Sequence, residues 1–358
     1  MKKAGFRKWL RSLAAAMVSA SVLLALQRLV MPKYADSLIE GGFTEEYYEE
    51  RMPHDVLMVG DCEVYESFSP VDLWRGFGIT SYIRGSAQQL VWQSYYLLED
   101  ALKYEKPKVV VFNVQALMHS GPQKEEYNRM TLDGMRWSGT KLAAVRASML
   151  PEENLADYVF PILRYHSRIT QLSKEDIDYY ACHKKVSHNG YYMRVDTVPY
   201  AEGVWFEEKP DDCTFGSMPV EYLDRMRRLC ESEGIHLVLV KAPSVSPVWY
   251  DEYEGQVARY ADKYGLPYLN YLKLLEETGI DYDTDTYDMG LHMNLSGAKK
   301  MTAYLGRFLV SEYGLEGHAG EEDVRREWEG KERFYDEMKA AQEKEIEEYG
   351  SVVTIDSF

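Results

Sequence analysis

Val109-Val110-Val111-Phe112 follows Lys106-Pro107-Lys108 and is apolar at every position. A strand of this kind has no face to offer water, so both faces must be covered, as in a parallel sheet packed between helices. Val56-Leu57-Met58-Val59 has the same character. Strands are expected at 56–59, 81–83, 109–114, 237–240 and 268–270. Amphipathic helices are expected at 89–104, 218–233, 249–264 and 296–313. Strands alternating with helices in this way call for a doubly wound α/β domain, with helices on both faces of the sheet.

The alternation breaks between Met118 and Phe215. Helical pieces at 141–149 and 154–165 and a Tyr/His/Gly-rich stretch at 179–206, read as a small hairpin, make an inserted cap or lid the expectation for 118–215. The α/β domain is then formed by 50–117 together with 216–313. From Glu321 to Tyr349 the chain is a highly charged helix former with no apolar stripe beyond Val324, Trp328, Phe334, Tyr335 and Met338. A mostly solvated helix within a C-terminal segment 314–358 is expected there.

Residues 1–34 differ from everything that follows. Lys2, Lys3, Arg7, Lys8 and Arg11 precede an uncharged stretch from Leu13 to Leu26. A positive flank before an apolar run directs the chain beyond it across a membrane. The uncharged run is shorter than the ~20 residues of a full span, but Trp9 to Met31 suffices if Arg11 and Arg28 snorkel to the two interfaces. An uncleaved anchor is favoured over a cleaved signal peptide, because Ser19 and Ser21 fall inside the run and no small-x-small site follows it. The basic flank argues against a buried helix of a soluble domain. The expectation is a single-pass protein of the cell membrane with its C-terminal domain outside the cytoplasm.

A formal net charge of −17 removes nucleic acid from the partners, since phosphate neutralisation needs an excess of Lys and Arg. The 29 Tyr suit a wet, sugar-like or peptide-like surface without proving one. Four cysteines, at 62, 182, 213 and 230, permit disulfides but form no dense framework. Cys182 and Cys213 flank one irregular region and can pair, while Cys230 reads as a buried thiol on a helix. Cys182, His183 and His188 lack a second ligand pair at metal-binding spacing, so neither a metal nor a cofactor is expected.

Two short stretches carry chemistry. Gly60-Asp61-Cys62-Glu63 directly follows the first strand, which places a thiol on a strand-to-helix turn where backbone N–H groups can receive an oxyanion. Asp288-Met289-Gly290-Leu291-His292 stands just before the last helix of the α/β domain, capped by Asn294 or Ser296. From there His292 can reach the carboxyl edge of the sheet, and Asp288 can fold back onto its other nitrogen to fix the tautomer. An Asp and a His in a loop are otherwise ordinary turn and capping residues. A helix N-terminus and an imidazolium lower a thiol pKa, which makes Cys-His-Asp competent for acyl transfer. Glu63, taken to lie beside the thiol, would raise it.

Val59-Gly60-Asp61-Cys62 ahead of Val64-Tyr65-Glu66-Ser67 resembles the first block of the SGNH (GDSL) hydrolase superfamily, and the stretch from Asp288 to Ala298 resembles its last block. The flavour is that of membrane-anchored, extracytoplasmic members similar to the teichoic-acid D-alanyl-transfer and alginate O-acetylation proteins. The resemblance covers about 50–117 and 216–313. It implies a flavodoxin-like sheet and ester hydrolysis or transfer through a nucleophile, a His and an Asp. Cys62 then stands where the family has serine, His292 is the general base and Asp288 the orienting acid, although the family more often spaces these as Asp-x-x-His. Gly85 matches the glycine that lends an oxyanion N–H. Asn113 is matched to the third-block asparagine without its surrounding Gly-x-Asn-Asp pattern. Gln88 is an alternative donor, and Asp61 supports the turn.

The resemblance also implies a cell-surface polysaccharide or teichoic-type polymer as substrate and a membrane-bound O-acyltransferase as a partner. The alternative to an enzyme is a silent SGNH-like scaffold for such an acyltransferase, with Cys62 a relic. Arg164, His166 and Arg168 in the insertion suit an anionic polymer, and a solvated helix end is their plainer reading. Lys241, after the fourth strand, either binds anionic substrate or pairs with an acid. Trp249 and Tyr250 either stack on a sugar or belong to the core.

Overall fold

The structure is a computed structural model of the chain that describes residues 2–31, 42–122, 124–182, 185–205 and 207–353. It forms two compact units. Met1–Lys33 and Pro151–Lys184 make one, and Tyr34–Leu150 with Lys185–Phe358 make the other.

The larger unit is built on five parallel strands: β1 (Val56–Gly60), β2 (Ser81–Gly85), β3 (Val109–Asn113), β4 (His236–Lys241) and β5 (Tyr268–Asn270), in the order β2-β1-β3-β4-β5. Every residue of β1, β2 and β3 is buried, as the apolar runs of β1 and β3 require. Val56, Met58, Ile83, Val109, Val111, Val238 and Val240 form one core with Val71, Leu73, Met301, Leu305 and Leu309 of the helices Pro70–Phe77 and Leu295–Tyr313. Alternate residues of the strands point to the opposite face, where Val91–Ala101 packs on β1 and β2 and Ser217–Glu233 on β4. The order is flavodoxin-like. In such a sheet, ligands bind in the crevice outside the carboxyl ends of the strands where the strand order reverses, here between β1 and β3.

The expected elements are all present, with shifted ends. The helix read from 89 begins at Val91, because the Leu90 N–H is taken by Gln93 Oε1 at 2.9 Å. The piece read as 154–165 is broken into Leu155–Val159 and Ile162–Tyr165, since Pro161 supplies no N–H. In 179–206 the expected hairpin is reduced to one antiparallel bridge, His188 to Tyr191, after the helix Lys174–Cys182. Phe206 lies outside the described residues.

The expected lid 118–215 is divided between the two units. Its stretch 151–184 belongs with the N-terminal helix and its remainder with the sheet. The C-terminal helix Glu322–Tyr349 is docked more firmly than its charge suggests. Trp328 is buried and stacks on Trp74 at 5.2 Å, and Gln342 Nε2 donates to Met193 O at 2.9 Å.

In the smaller unit one helix runs from Lys2 to Val30. Its 25 residues Phe6–Val30 are long and apolar enough to cross a membrane, reaching about 37 Å at about 1.5 Å per residue. Cys62, Cys213 and Cys230 are free thiols. The side chains of Cys182 and His183, on which the disulfide and metal readings turned, lie outside the described residues.

Candidate active site

β1 ends at Gly60, where a Cβ would stand 2.6 Å from Val64 Cγ2 and 3.1 Å from Asn113 Cβ. Only glycine lets the chain turn this tightly against β3. Asp61 then caps the helical turn Cys62–Tyr65, its Oδ1 accepting the Glu63 N–H at 3.2 Å. Cys62 is thereby fixed as the first helical residue at the crevice.

The second half of the site is a turn that the Asp288 carboxylate closes. Its Oδ1 accepts the His292 backbone N–H at 2.8 Å, while Oδ2 holds His292 Nδ1 at 2.6 Å. Asn294 caps the following helix, accepting from Ser296 N at 3.0 Å and Gly297 N at 3.2 Å. The turn is braced by the stretch 198–205: Val198 N donates to Thr286 O at 3.0 Å and Trp205 Nε1 to Met289 O at 2.9 Å. Cys62 and His292 each act on the other's charge, the imidazolium favouring the thiolate and the sulfur favouring the imidazolium. Residues 230 positions apart in the chain are thereby neighbours at the crevice.

The electrostatics of these residues are unusual. His292 is pushed well above the ordinary histidine range: burial opposes the charge, but Glu66, the Cys62 sulfur and Asp288 all favour it. Dense packing around the partly exposed Cys62 pushes its thiol up to about 11, further raised by Asp61 and Glu66 and opposed by His292. Both shifts favour a thiol beside an imidazolium. Asp61, buried and next to Glu63, is itself pushed up to about 7.

Several residues stand elsewhere than the sequence suggested. Glu63 does not lie against the thiol. It is buried in an ion pair with Lys241, whose Nζ is 2.9 Å and 3.1 Å from its two oxygens. Lys241 is fully buried and also donates to Ala242 O at 2.6 Å. With its donors directed inward, it is no contact for an anionic polymer. Asn113 Nδ2 donates to Asp61 Oδ1 at 3.0 Å and to Glu63 Oε2 at 2.9 Å. The amide thus ties two acids together and has no N–H left for an oxyanion. Gly85 ends β2 in register with Gly60, beside the Cys62 turn, and Gln88 is half-buried on the next turn at φ +55°. Arg164, His166 and Arg168 belong to the other compact unit. Trp249 packs with Phe215 and Tyr253, its Nε1 donating to Glu254 at 3.0 Å.

Sequence reasoning missed Glu66, Tyr287 and Arg194. Glu66 is buried with Oε2 3.6 Å from His292 Nδ1, and the Tyr287 hydroxyl donates to the same carboxylate. The Tyr287 ring stacks on the imidazole at 6.1 Å, and the Arg194 guanidinium lies 4.6 Å from the centre of its ring. The one available signal was position: Glu66 and Tyr287 are close in the chain to Cys62 and Asp288.

No protein-family model and no curated protein matches the chain. Among solved structures, it is similar to a GDSL-like lipase from Bacteroides thetaiotaomicron at 12% identity and a TM-score of 0.36, over 76% of this chain and 97% of that one. It is similar to a putative lipolytic protein of the G-D-S-L family from Desulfitobacterium hafniense at 15% identity and a TM-score of 0.34, over 71% and 98%. A third likeness is to a putative acylhydrolase from Bacteroides fragilis, at 11% identity and a TM-score of 0.37, over 75% and 94%. Likenesses at this level say nothing about activity, and the functional reading rests on the side chains described above.

Proposed function

We propose that the chain is an SGNH-type hydrolase or acyltransferase that acts on O-acyl esters of a cell-envelope polymer through Cys62, His292 and Asp288. The observation that carries this reading is the imidazole of His292, held at Nδ1 by Asp288 Oδ2 at 2.6 Å and near enough to Cys62 for each to act on the other's charge. The apolar helix Lys2–Val30 supports a single-pass anchor, with the sheet-bearing unit outside the cytoplasm.

The chemistry follows from the resting protonation. Once the thiol proton has left to solvent, the Cys62 thiolate attacks the ester carbonyl and forms an S–C bond. The tetrahedral oxyanion collapses and the C–O bond breaks, with the His292 imidazolium giving its Nε2 proton to the departing alkoxide. His292, now neutral, takes a proton from water or a sugar hydroxyl as that oxygen attacks the thioester. The C–S bond breaks and the acyl group leaves on the acceptor. Asp288 keeps Nε2 directed at the sulfur throughout.

The full chain in detergent, incubated with p-nitrophenyl acetate and quenched in acid, tests this reading. An acetyl adduct on Cys62 by mass spectrometry, lost in His292→Ala, is the expected result. No adduct together with no p-nitrophenol release would remove the enzymatic reading. One observation favours the second reading, a silent scaffold for a membrane acyltransferase: the thiol is pushed up to about 11. That reading expects Cys62→Ala to leave polymer acylation in cells unchanged.

A further inference from the structure

We infer that the segment 155–182 is a membrane-interface platform, bedded in lipid at the end of the N-terminal span. The inference rests on the reading of Lys2–Val30 as that span. The last carbonyls of a helix have no intrahelical donors. Here Arg168 Nη1 donates to Val30 O, the last residue of the helix, at 2.7 Å. The same guanidinium holds Asp176 Oδ1 at 3.0 Å, and Asp176 Oδ2 accepts the Ser173 N–H at 3.0 Å. Two parts of the segment are thus fastened to the point where the apolar helix stops. Ile162–Tyr165, the turn His166–Thr170 and Lys174–Cys182 all pack against that helix.

What these short helices do with their apolar residues is unlike a water-facing surface. Neither Ile162–Tyr165 nor His166–Thr170 buries a single residue. Phe160, Leu163, Ile169 and Ile177 are 47%, 53%, 48% and 54% exposed. Ile169 and Ile177 directly follow Arg168 and Asp176, so their depth is set by the Arg168 bond to Val30 O and the ion pair from Arg168 to Asp176. A group held at the end of a membrane-spanning helix stands at the headgroup level, where half-exposed aliphatic and aromatic side chains are favourable.

The occupant is lipid and is met through apolar contact. Glu152, Glu153, Asp157 and Asp178 outweigh Arg164 and Lys174 around the patch, which argues against a polybasic attraction to anionic headgroups. The guanidinium of Arg168 is committed to Val30 and Asp176, which gives it a fastening role in place of the polymer contact expected from the sequence.

Full-length protein carrying a benzophenone amino acid at Leu163, Ile177 or, as a control within the span, Val22 would be placed in phosphatidylcholine nanodiscs and irradiated. Lipid adducts read by mass spectrometry are expected at all three positions. Those at Leu163 and Ile177 should be unchanged at about 1 M salt, where the screening length falls to about 3 Å. Adducts at Val22 but none at Leu163 or Ile177 overturn the platform and leave the span intact. Absence at all three positions overturns the span and the platform with it. Cross-links from Leu163 or Ile177 to protein in place of lipid overturn it in favour of a protein partner.

Discussion

Glu66 Oε2 stands 3.6 Å from His292 Nδ1, the nitrogen that Asp288 Oδ2 already holds at 2.6 Å. Two carboxylates thus face one side of the imidazole. Of the groups that favour the imidazolium, Glu66 is the largest, ahead of the Cys62 sulfur and Asp288. Glu66→Gln removes that charge with little change in shape, and the His292 pKa is expected to fall. Imidazole carbon NMR across a pH series reads this directly. An unmoved midpoint would mean that Glu66 does not set the protonation of His292.

The same arrangement explains why a serine would work poorly here. A hydroxyl needs a neutral imidazole to take its proton, whereas a thiol can lose its proton to solvent and act beside an imidazolium. Cys62→Ser is therefore expected to lower ester turnover by roughly 10²-fold or more. Adding Glu66→Gln should return part of it, on the order of 10-fold, by making neutral His292 more accessible. Steady-state kinetics of the two variants decide the matter. Equal activity of Cys62→Ser and the native chain would show that His292 is neutral at rest.

Beneath the site, Glu63 and Lys241 form a pair that is 3% and 0% exposed at the side chain. Lys241→Met strands the Glu63 carboxylate in the core, with a loss of about 3–5 kcal/mol. Lys241→Met combined with Glu63→Gln removes both charges and should recover most of it. Urea unfolding of the three proteins measures the difference. If the double variant is as unstable as the single one, the aliphatic stem of Lys241 matters and the charge pairing does not.

The sheet was legible because runs such as Val109–Phe112 admit one environment, and Asp288 and His292 were legible because a short turn brings them together whatever surrounds it. Glu63 was misplaced for a reason of geometry. Consecutive residues of a helix diverge by about 100°, so the neighbour of Cys62 points away from it, towards a lysine 178 positions distant. Glu66 was invisible because an acid among Tyr65 and Ser67 looks the same in sequence whether it meets water or His292. The lid was read as one piece because contiguity in sequence says nothing of which apolar surface each part covers. Pro151–Lys184 follows the N-terminal helix, and the flanking parts follow the sheet.

His188 offers a further measurement, independent of catalysis. It is buried, its ring lies 4.7 Å from that of Phe334 and 5.3 Å from that of Tyr335, and neither ring nitrogen has a hydrogen-bond partner among the described residues. Burial pushes its pKa down to about 3 from an ordinary 6.5. Above pH 6.5 both folded and unfolded chains hold this histidine neutral, and it adds no pH dependence. As the pH falls below 6.5 the unfolded chain takes up a proton that the native one refuses until about pH 3. Stability therefore drops through this window by about 1.4 kcal/mol per pH unit. Glu46 and Asp61, both pushed up to about 7, contribute slopes of the opposite sign that are common to native and variant chains. His188→Phe keeps an aromatic ring against Phe334 and abolishes the titration. Urea unfolding at pH 6.5 and 4.5 should show the native protein losing about 2 kcal/mol relative to the variant, and parallel profiles would mean that water reaches the imidazole and lets it charge in place.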